Sequence, residues 1–235
     1  MKMLAIDTST YVLSVALSDD GTIVGEYTTN LKKNHSVRLM HAIDDLLQGT
    51  GTAAKELDAI AAAKGPGSYT GVRIGITTAK SLAWSLGIPV YGISTLHMYA
   101  QNGRGFAGMI CPFIDARRDQ VYTGLYESRG RYAEVVQKDR IILLEDWLEE
   151  LKHVNAPVLF LSQDSDKHKA SIVKALGTNA YFGDAREQLP HASAMFSIIQ
   201  KEGGSIDPHH LVPEYAQLAE AEKKWLAAKE GVSHE

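Results

Sequence analysis

Between residues 65 and 75 the chain reads Gly-Pro-Gly-Ser-Tyr-Thr-Gly-Val-Arg-Ile-Gly. A glycine-rich loop that leads into a helix can hold a phosphate, because free N–H groups at a helix N-terminus attract anions, and Ser68 and Thr70 could add hydroxyl donors. The same residues can simply make a tight turn. The loop lacks the Lys-Ser/Thr ending of a Walker loop and does not follow the Gly-x-Gly-x-x-Gly pattern. The favoured reading is therefore a structural turn that shapes the start of the helix. Asp7, in "IDTST", stands at the end of the first apolar run, where it is expected to cap the hairpin turn.

Other side chains able to do chemistry are scattered. Ser68 is preceded by Pro66-Gly67 and does not sit in the Gly-x-Ser-x-Gly elbow of a nucleophile. Cys111 is a single cysteine. There is no His-Glu-x-x-His; His35 and His41 lie six apart, about 240° around a helix, so they cannot chelate from one face. His209-His210 is an adjacent pair without nearby carboxylates and reads as solvated loop. No catalytic residue and no metal site is assigned.

The elements that must position these residues are legible from pattern. Residues 3–8, 12–18 and 22–30 read as a three-stranded antiparallel meander, with Asp19-Asp20-Gly21 as a hairpin turn. A helix is expected over 35–48, with Leu39, Met40, Ile43, Leu46 and Leu47 as its apolar stripe and Asn34 or Ser36 as its cap. A strand over 57–63 carries the chain to the glycine-rich loop, and a helix over about 72–87 follows it. Along that helix Gly71, Gly75, Ala79, Ala83 and Gly87 fall at four-residue steps and leave one ridge nearly bare. Another backbone can approach there, either from within the fold or from another chain. Residues 88–93 return as a strand.

The second half repeats the opening. "IDTSTYVLSVAL" (6–17) and "IDARRDQVYTGL" (114–125) both start on Ile-Asp, and a further strand at 132–138 matches the third of the first half. A helix at Trp147, Leu148 and Leu151, a strand at 158–162 and helices at 165–176 and 190–201 complete it. The tail, 214–230, reads as an amphipathic helix or a frayed end, and Gly203-Gly204 as part of a linker. The fold expected is α/β, with two duplicated βββαβα-type lobes, 1–105 and 106–235, the second reduced.

Composition sets outer limits. The 235 residues carry 45% apolar and 22% charged side chains and a formal net charge of −4. That is ordinary for a globular protein and lacks the general basic excess of a chain that binds nucleic acid by itself. No run of ~18 apolar residues offers a membrane span. An Asp at position 7 comes too early for a signal-peptide core, and one cysteine fits a reducing cytoplasm.

Two lobes with an Asp at the first β-turn resemble the actin, sugar kinase and Hsp70-type ATPase superfamily. More specifically, "MLAIDTST", "NHSVRLM", "GPGSYTGVRIG", "FIDARRDQVY" and "LVPEYAQ" together resemble the TsaB family, also called YeaZ, over essentially the whole chain. The resemblance implies a non-catalytic subunit of the bacterial machinery that adds threonylcarbamoyl to N6 of adenosine 37 in tRNAs reading codons that begin with A. The implied partners are TsaD, the catalytic subunit, then TsaE in the wider complex and tRNA through the complex, with a homodimer when alone. No cofactor, no metal and no membrane is implied.

By the same resemblance the metal-binding histidines of TsaD fall here on Thr95 and Tyr99. His97 is two residues out of register, about 200° around a helix. Asp7, Thr8, Ser9, Gly65, Gly67 and Ser68 become vestigial nucleotide-type turns, the more so because bulky Arg117 and Arg118 occupy the second-lobe turn. The two N-terminal helices of the family contact TsaD, which implies an interface of His35, Arg38, Leu39, Arg73, Ile76, Thr77, Lys80 and Trp84. Trp84 can be either a core tryptophan or an interface anchor. Arg117 and Arg118 are either tRNA contacts, or a solvated turn or an intramolecular ion pair. The competing functions are an ATPase or metalloprotease-like hydrolase of the same superfamily, and a regulatory homodimer without a tRNA role.

Overall fold

The structure is a computed structural model and describes residues 1–214. Strands β1 (Lys2–Asp7), β2 (Val12–Asp19) and β3 (Thr22–Asn30) form the antiparallel meander. Helix α1 (His35–Gly49), strand β4 (Ala59–Ala63), helix α2 (Tyr69–Leu86), strand β5 (Val90–Ile93) and helix α3 (Thr95–Ala100) follow. The chain then repeats this series. It runs through β6 (Met109–Asp115), β7 (Gln120–Arg129), β8 (Tyr132–Leu143), α4 (Leu144–Lys152), β9 (Val158–Leu161), α5 (Ser165–Leu176), β10 (Ala180–Phe182) and α6 (Ala194–Glu202).

The sheet orders, β3-β2-β1-β4-β5 and β10-β9-β6-β7-β8, are the same order read from opposite ends. Each half is thus the expected βββαβα unit extended by one more strand and helix. The second half keeps all five strands; its reduction lies in α4 and α5, which have 9 and 12 residues against 15 and 18 in α1 and α2.

Both faces of the first sheet are covered, which explains a strand as alanine-rich as β4. Leu4, Ile6, Ile60 and Ala62 face α1 and α2, whereas Met3, Ala5, Ala59 and Ala61 face α6. Small side chains let helices press close on both sides, so burial overrides the weak strand propensity of alanine. α1 starts on the Asn34 side chain, which accepts from Ser36 N at 3.1 Å. α2 ends on Gly87 in the left-handed conformation (φ 67°), which glycine adopts without strain.

The bare ridge of α2 lies inside the fold. Gly71, Gly75, Ala79 and Ala83 are all buried. A Cβ on Gly71 would meet the Thr8 carbonyl oxygen at 2.1 Å, and one on Gly75 would meet Thr8 Oγ1 at 2.6 Å. Of the two readings open from sequence, packing within the chain is the one observed.

The last helix of each half crosses to the other half's sheet. Leu96, Tyr99 and Ala100 of α3 pack with Ile110, Tyr126 and Leu161, while Met195, Ile198 and Ile199 of α6 pack with Met3, Ala5 and Ala61. Glu26 pins the approach to α6: its carboxylate accepts from Ser193 N at 3.0 Å and faces His191 Nδ1 at 3.3 Å. Burial alone would raise the Glu26 pKa, but these hydrogen bonds outweigh it and hold the carboxyl below its usual range.

Beyond α6 the chain straps β5. Ile206 bridges to Val90, and Glu214 N donates to Lys64 O at 2.7 Å. All but the first residue of the amphipathic segment read over 214–230 lies outside the described residues.

Candidate functional site

Two places matter: the turns between the lobes, where nucleotide chemistry would take place, and the outer face of α1 and α2. At the first, the glycine-rich loop rests directly on the β1–β2 turn. Ser68 N donates to Ser9 O at 2.6 Å, and Thr8 Oγ1 donates to Gly71 O at 2.7 Å. A Cβ on Gly67 would stand 2.2 Å from Ser9 O. Backbone therefore fills the space between loop and turn.

Ser68 is the N-cap of α2, its side chain accepting from Gly71 N at 3.2 Å. The helix accordingly begins at Tyr69, three residues before the start read from sequence. The glycines of "GPGSYTGVRIG" are needed because backbone packs on backbone here, and the Ser68 hydroxyl is spent on its own helix.

Asp7 is completely buried. Its Oδ1 accepts from Ser9 N at 2.9 Å and from Ser9 Oγ at 2.5 Å, so it caps the turn as expected from sequence. Its Oδ2 has no hydrogen-bond partner among the described residues. Burial raises its pKa, against the pull of the two Ser9 bonds.

The duplicate position, Asp115, makes the same local bond: its Oδ1 accepts from Arg117 N at 2.8 Å. It differs in having a cation, since Lys167 Nζ lies 2.9 Å from Asp115 and 2.9 Å from Asp164. Burial opposes ionisation of Asp115, but the Lys167 and Arg117 N–H bonds prevail and hold its pKa down. The turn that follows, Arg117-Arg118-Asp119, has three consecutive positive φ angles, 66°, 52° and 58°. Both arginines are exposed.

The positions read as metal-ligand equivalents belong to the interior. Tyr99 is buried; its hydroxyl donates to Gln188 O at 2.5 Å and accepts from Gln163 N at 2.9 Å. Burial pushes this phenol well above its usual pKa. Thr95 is also fully buried. His97 lies inside as well, with Nε2 2.9 Å from Ala133 O and its ring stacked on Tyr126. Among the described residues no group of three or more His, Cys, Asp or Glu side chains is placed to hold a metal ion.

The outer helix face is different in kind. Trp84 is 68% exposed and Val37 64% exposed, so neither is a core residue. Tyr69 and Met40 are also exposed, and the Arg73 guanidinium lies 3.9 Å from the Tyr69 ring centroid. Thr77 is exposed, and Arg38 and Lys80 are half-buried. Lys80 Nζ donates to the carbonyls of His209 and Leu211 at 3.2 and 2.9 Å, which fastens the C-terminal strap to α2.

Three of the residues assigned to this face are not on it. Leu39 and Ile76 belong to the core beneath it. His35 is buried, with Nε2 2.7 Å from Thr10 O. Met40 moves the other way, out of the apolar stripe and onto the surface. Sequence reasoning passed over Val37, Met40 and Tyr69 as surface residues. The available signal was that 37 and 40 are out of phase with the buried set 39, 43 and 46.

Five-stranded mixed sheets in duplicate, each with an Asp that caps its first turn, define a protein of the actin-like ATPase and sugar kinase fold class. A component of (R)-2-hydroxyglutaryl-CoA dehydratase from Acidaminococcus fermentans shares that fold at a TM-score of 0.51 and 8% identity, covering 86% of this chain and 98% of its own. The family model of TsaD, tRNA N6-adenosine threonylcarbamoyltransferase, matches residues 22–225. The tRNA threonylcarbamoyladenosine biosynthesis protein TsaB of Bacillus subtilis is 50% identical over 97% of this chain and 100% of its own length. YeaZ from Pseudomonas aeruginosa superposes with a TM-score of 0.74 at 27% identity, over 91% of this chain and 99% of its own. The chain belongs to the TsaB family.

Proposed function

We propose that this chain is a non-catalytic dimerization and scaffold subunit of the complex that installs threonylcarbamoyl on N6 of adenosine 37 in tRNAs reading codons that begin with A. It binds and activates TsaD. The names of its relatives support the pathway. The observation that carries the scaffold role is the outer face of α1 and α2, where Trp84 and Val37 stand in solvent. Large apolar side chains, an aromatic and Arg73 together make a surface suited to a partner, since Trp and Arg are enriched in interface hot spots. The same face serves a second copy of the chain when TsaD is absent.

The reading that the chain does not catalyse by itself rests on the turns between the lobes. Loop and turn are packed backbone to backbone, the Ser68 hydroxyl caps a helix and Tyr99 is tied into the interior. Asp7, Thr8, Ser9, Gly65, Gly67 and Ser68 then keep the shape of a nucleotide-type site while serving the fold. Arg117 and Arg118, both exposed, contact tRNA phosphates in the assembled complex, which TsaE joins in the cytoplasm. An ATPase or hydrolase of the same superfamily is the competing reading. Reconstitution decides between them. Modified tRNA is measured with cognate TsaD, TsaE and the threonylcarbamoyl donor, with and without this chain. Modification should require the chain, while the chain alone turns over neither ATP nor donor. Turnover by the chain alone that vanishes in Asp7→Ala would establish the competing reading instead.

A further inference from the structure

The strap of residues 205–214 leaves α6 at Gly203-Gly204. Both glycines are exposed and have positive φ angles, 66° and 90°, which glycine enters without strain. A Cβ on either would meet nothing within 4 Å, so conformation and not packing calls for glycine there. Gly92 and Gly65 show the opposite. A Cβ on Gly92 would stand 2.7 Å from Leu211 Cδ1, and one on Gly65 would stand 2.8 Å from Glu214 O. Those two glycines are the bed on which the strap lies.

The strap is fastened at three places. At its start Ile206 N donates to Val90 O at 2.8 Å, and Val90 N donates to Ile206 O at 3.1 Å. In its middle Lys80 Nζ donates to His209 O and Leu211 O, and Leu211 enters the core shared with α1 and α2. At its end Glu214 N donates to Lys64 O at 2.7 Å, and Lys64 Nζ lies 2.8 Å from Glu214 Oε2. The turn between the first two places is closed on itself. Asp207 Oδ1 accepts from His209 N at 2.8 Å, and Asp207 O accepts from His210 N at 2.9 Å. Leu211 is the one buried residue of the strap.

Segments that open locally bury few apolar side chains and keep much of their backbone in solvent. This segment has one buried side chain, a turn whose own bonds survive release, and a glycine pair at its root. The cost of opening falls on Lys80, Leu211 and the bonds at the two ends.

We propose that residues 205–214 are a latch that swings on Gly203-Gly204 and docks or releases as one piece, with Lys80 as its fastener. Release uncovers the outer edge of β5, the last strand of the first sheet, together with the seat of Leu211. Lys80 is one helical turn from Trp84 on α2. The chain therefore has a closed state, in which its sheet edge is covered, and an open state, in which edge and seat are bare beside the outer helix face.

The test is amide hydrogen exchange of the full chain alone, read by NMR with and without low urea. Ile206 N, Val90 N and Glu214 N are the reporters, because each bonds across the junction between strap and body. Their protection should be alike, at least about tenfold below that of amides in the central strand β1, and nearly insensitive to low urea. Amides of β1 should lose protection steadily as urea rises. Lys80→Met removes two bonds from a charged donor, so protection at all three reporters should fall together by about tenfold. Three results each overturn the proposal. One is reporters that match β1 in protection and urea response, since the strap then opens only with the whole fold. Another is a different loss at Ile206 than at Glu214 in Lys80→Met, which is fraying from one end. The last is unchanged protection in that variant. TsaD is absent throughout, so none of these outcomes bears on pairing with it.

Discussion

Thr8 and Gly71 are locked together twice: Thr8 Oγ1 donates to Gly71 O at 2.7 Å, and a Cβ on Gly71 would lie 2.1 Å from Thr8 O. The contact joins the β1–β2 turn to the first turn of α2, so it sets the height and tilt of the helix that carries Trp84. Gly71→Ala should therefore destabilise the fold by about 1–3 kcal/mol, the usual range for overpacking, because the obstructing atom is backbone and cannot rotate away. Gly75→Ala should cost less. It meets only the Thr8 hydroxyl, and it gains ~1 kcal/mol of helix propensity. Urea unfolding of both variants checks this, and equal stability of Gly71→Ala and the parent would refute the packing argument.

Glu26 should contribute acid-sensitive stability. Its carboxyl is held below the ordinary range in the folded state, so the unfolded chain takes up the proton more readily. The contribution is complete above the unfolded carboxylate range and is lost as pH falls through the folded-state pKa. Glu26→Gln should cost about 1–3 kcal/mol near neutral pH, as expected for hydrogen bonds to a charged group. That cost should shrink as pH falls through the folded-state pKa, so it is read at neutral pH and at an acid pH below the ordinary carboxylate range. A cost independent of pH, from unfolding curves at the two values, would show that Glu26 acts through shape alone.

Tyr99→Phe tests whether this residue belongs to the interior and not to a working site. Loss of the hydroxyl leaves Gln163 N and Gln188 O without their partner and should lower stability by about 1–3 kcal/mol. Pairing with TsaD should persist in the folded variant. An unchanged thermal melt with lost pairing or lost tRNA modification would point to a functional Tyr99.

Much of this architecture was legible because its signals are local. The Asp-Gly hairpin, the Asn34 cap and the repeated Ile-Asp opening each announce their element, and Asp7 and Asp115 do cap equivalent turns. What the sequence hid depends on partners far along the chain. The glycine ridge left packing within the fold and packing against another chain both open, because nothing near it in sequence shows that Thr8, 63 residues away from Gly71, fills it. Leu39 and Ile76 were assigned outward although the apolar phase of their own helices turns them inward. Trp84 stayed ambiguous, since a single tryptophan at the end of a helix carries no phase of its own. Duplication showed in the strands, but the exchange of α3 and α6 between sheets had no local sign at all.

The most direct test of the account is the affinity of Trp84→Ala for cognate TsaD, measured by calorimetry or sedimentation, with a thermal melt of the variant alone. At 68% exposure, Trp84 contributes little to the core, so the melt should stay close to that of the parent. Loss of a central aromatic anchor should weaken pairing by ~2 kcal/mol or more, a roughly thirtyfold loss of affinity. An unchanged affinity for TsaD would contradict the claim that α1 and α2 form the partner face.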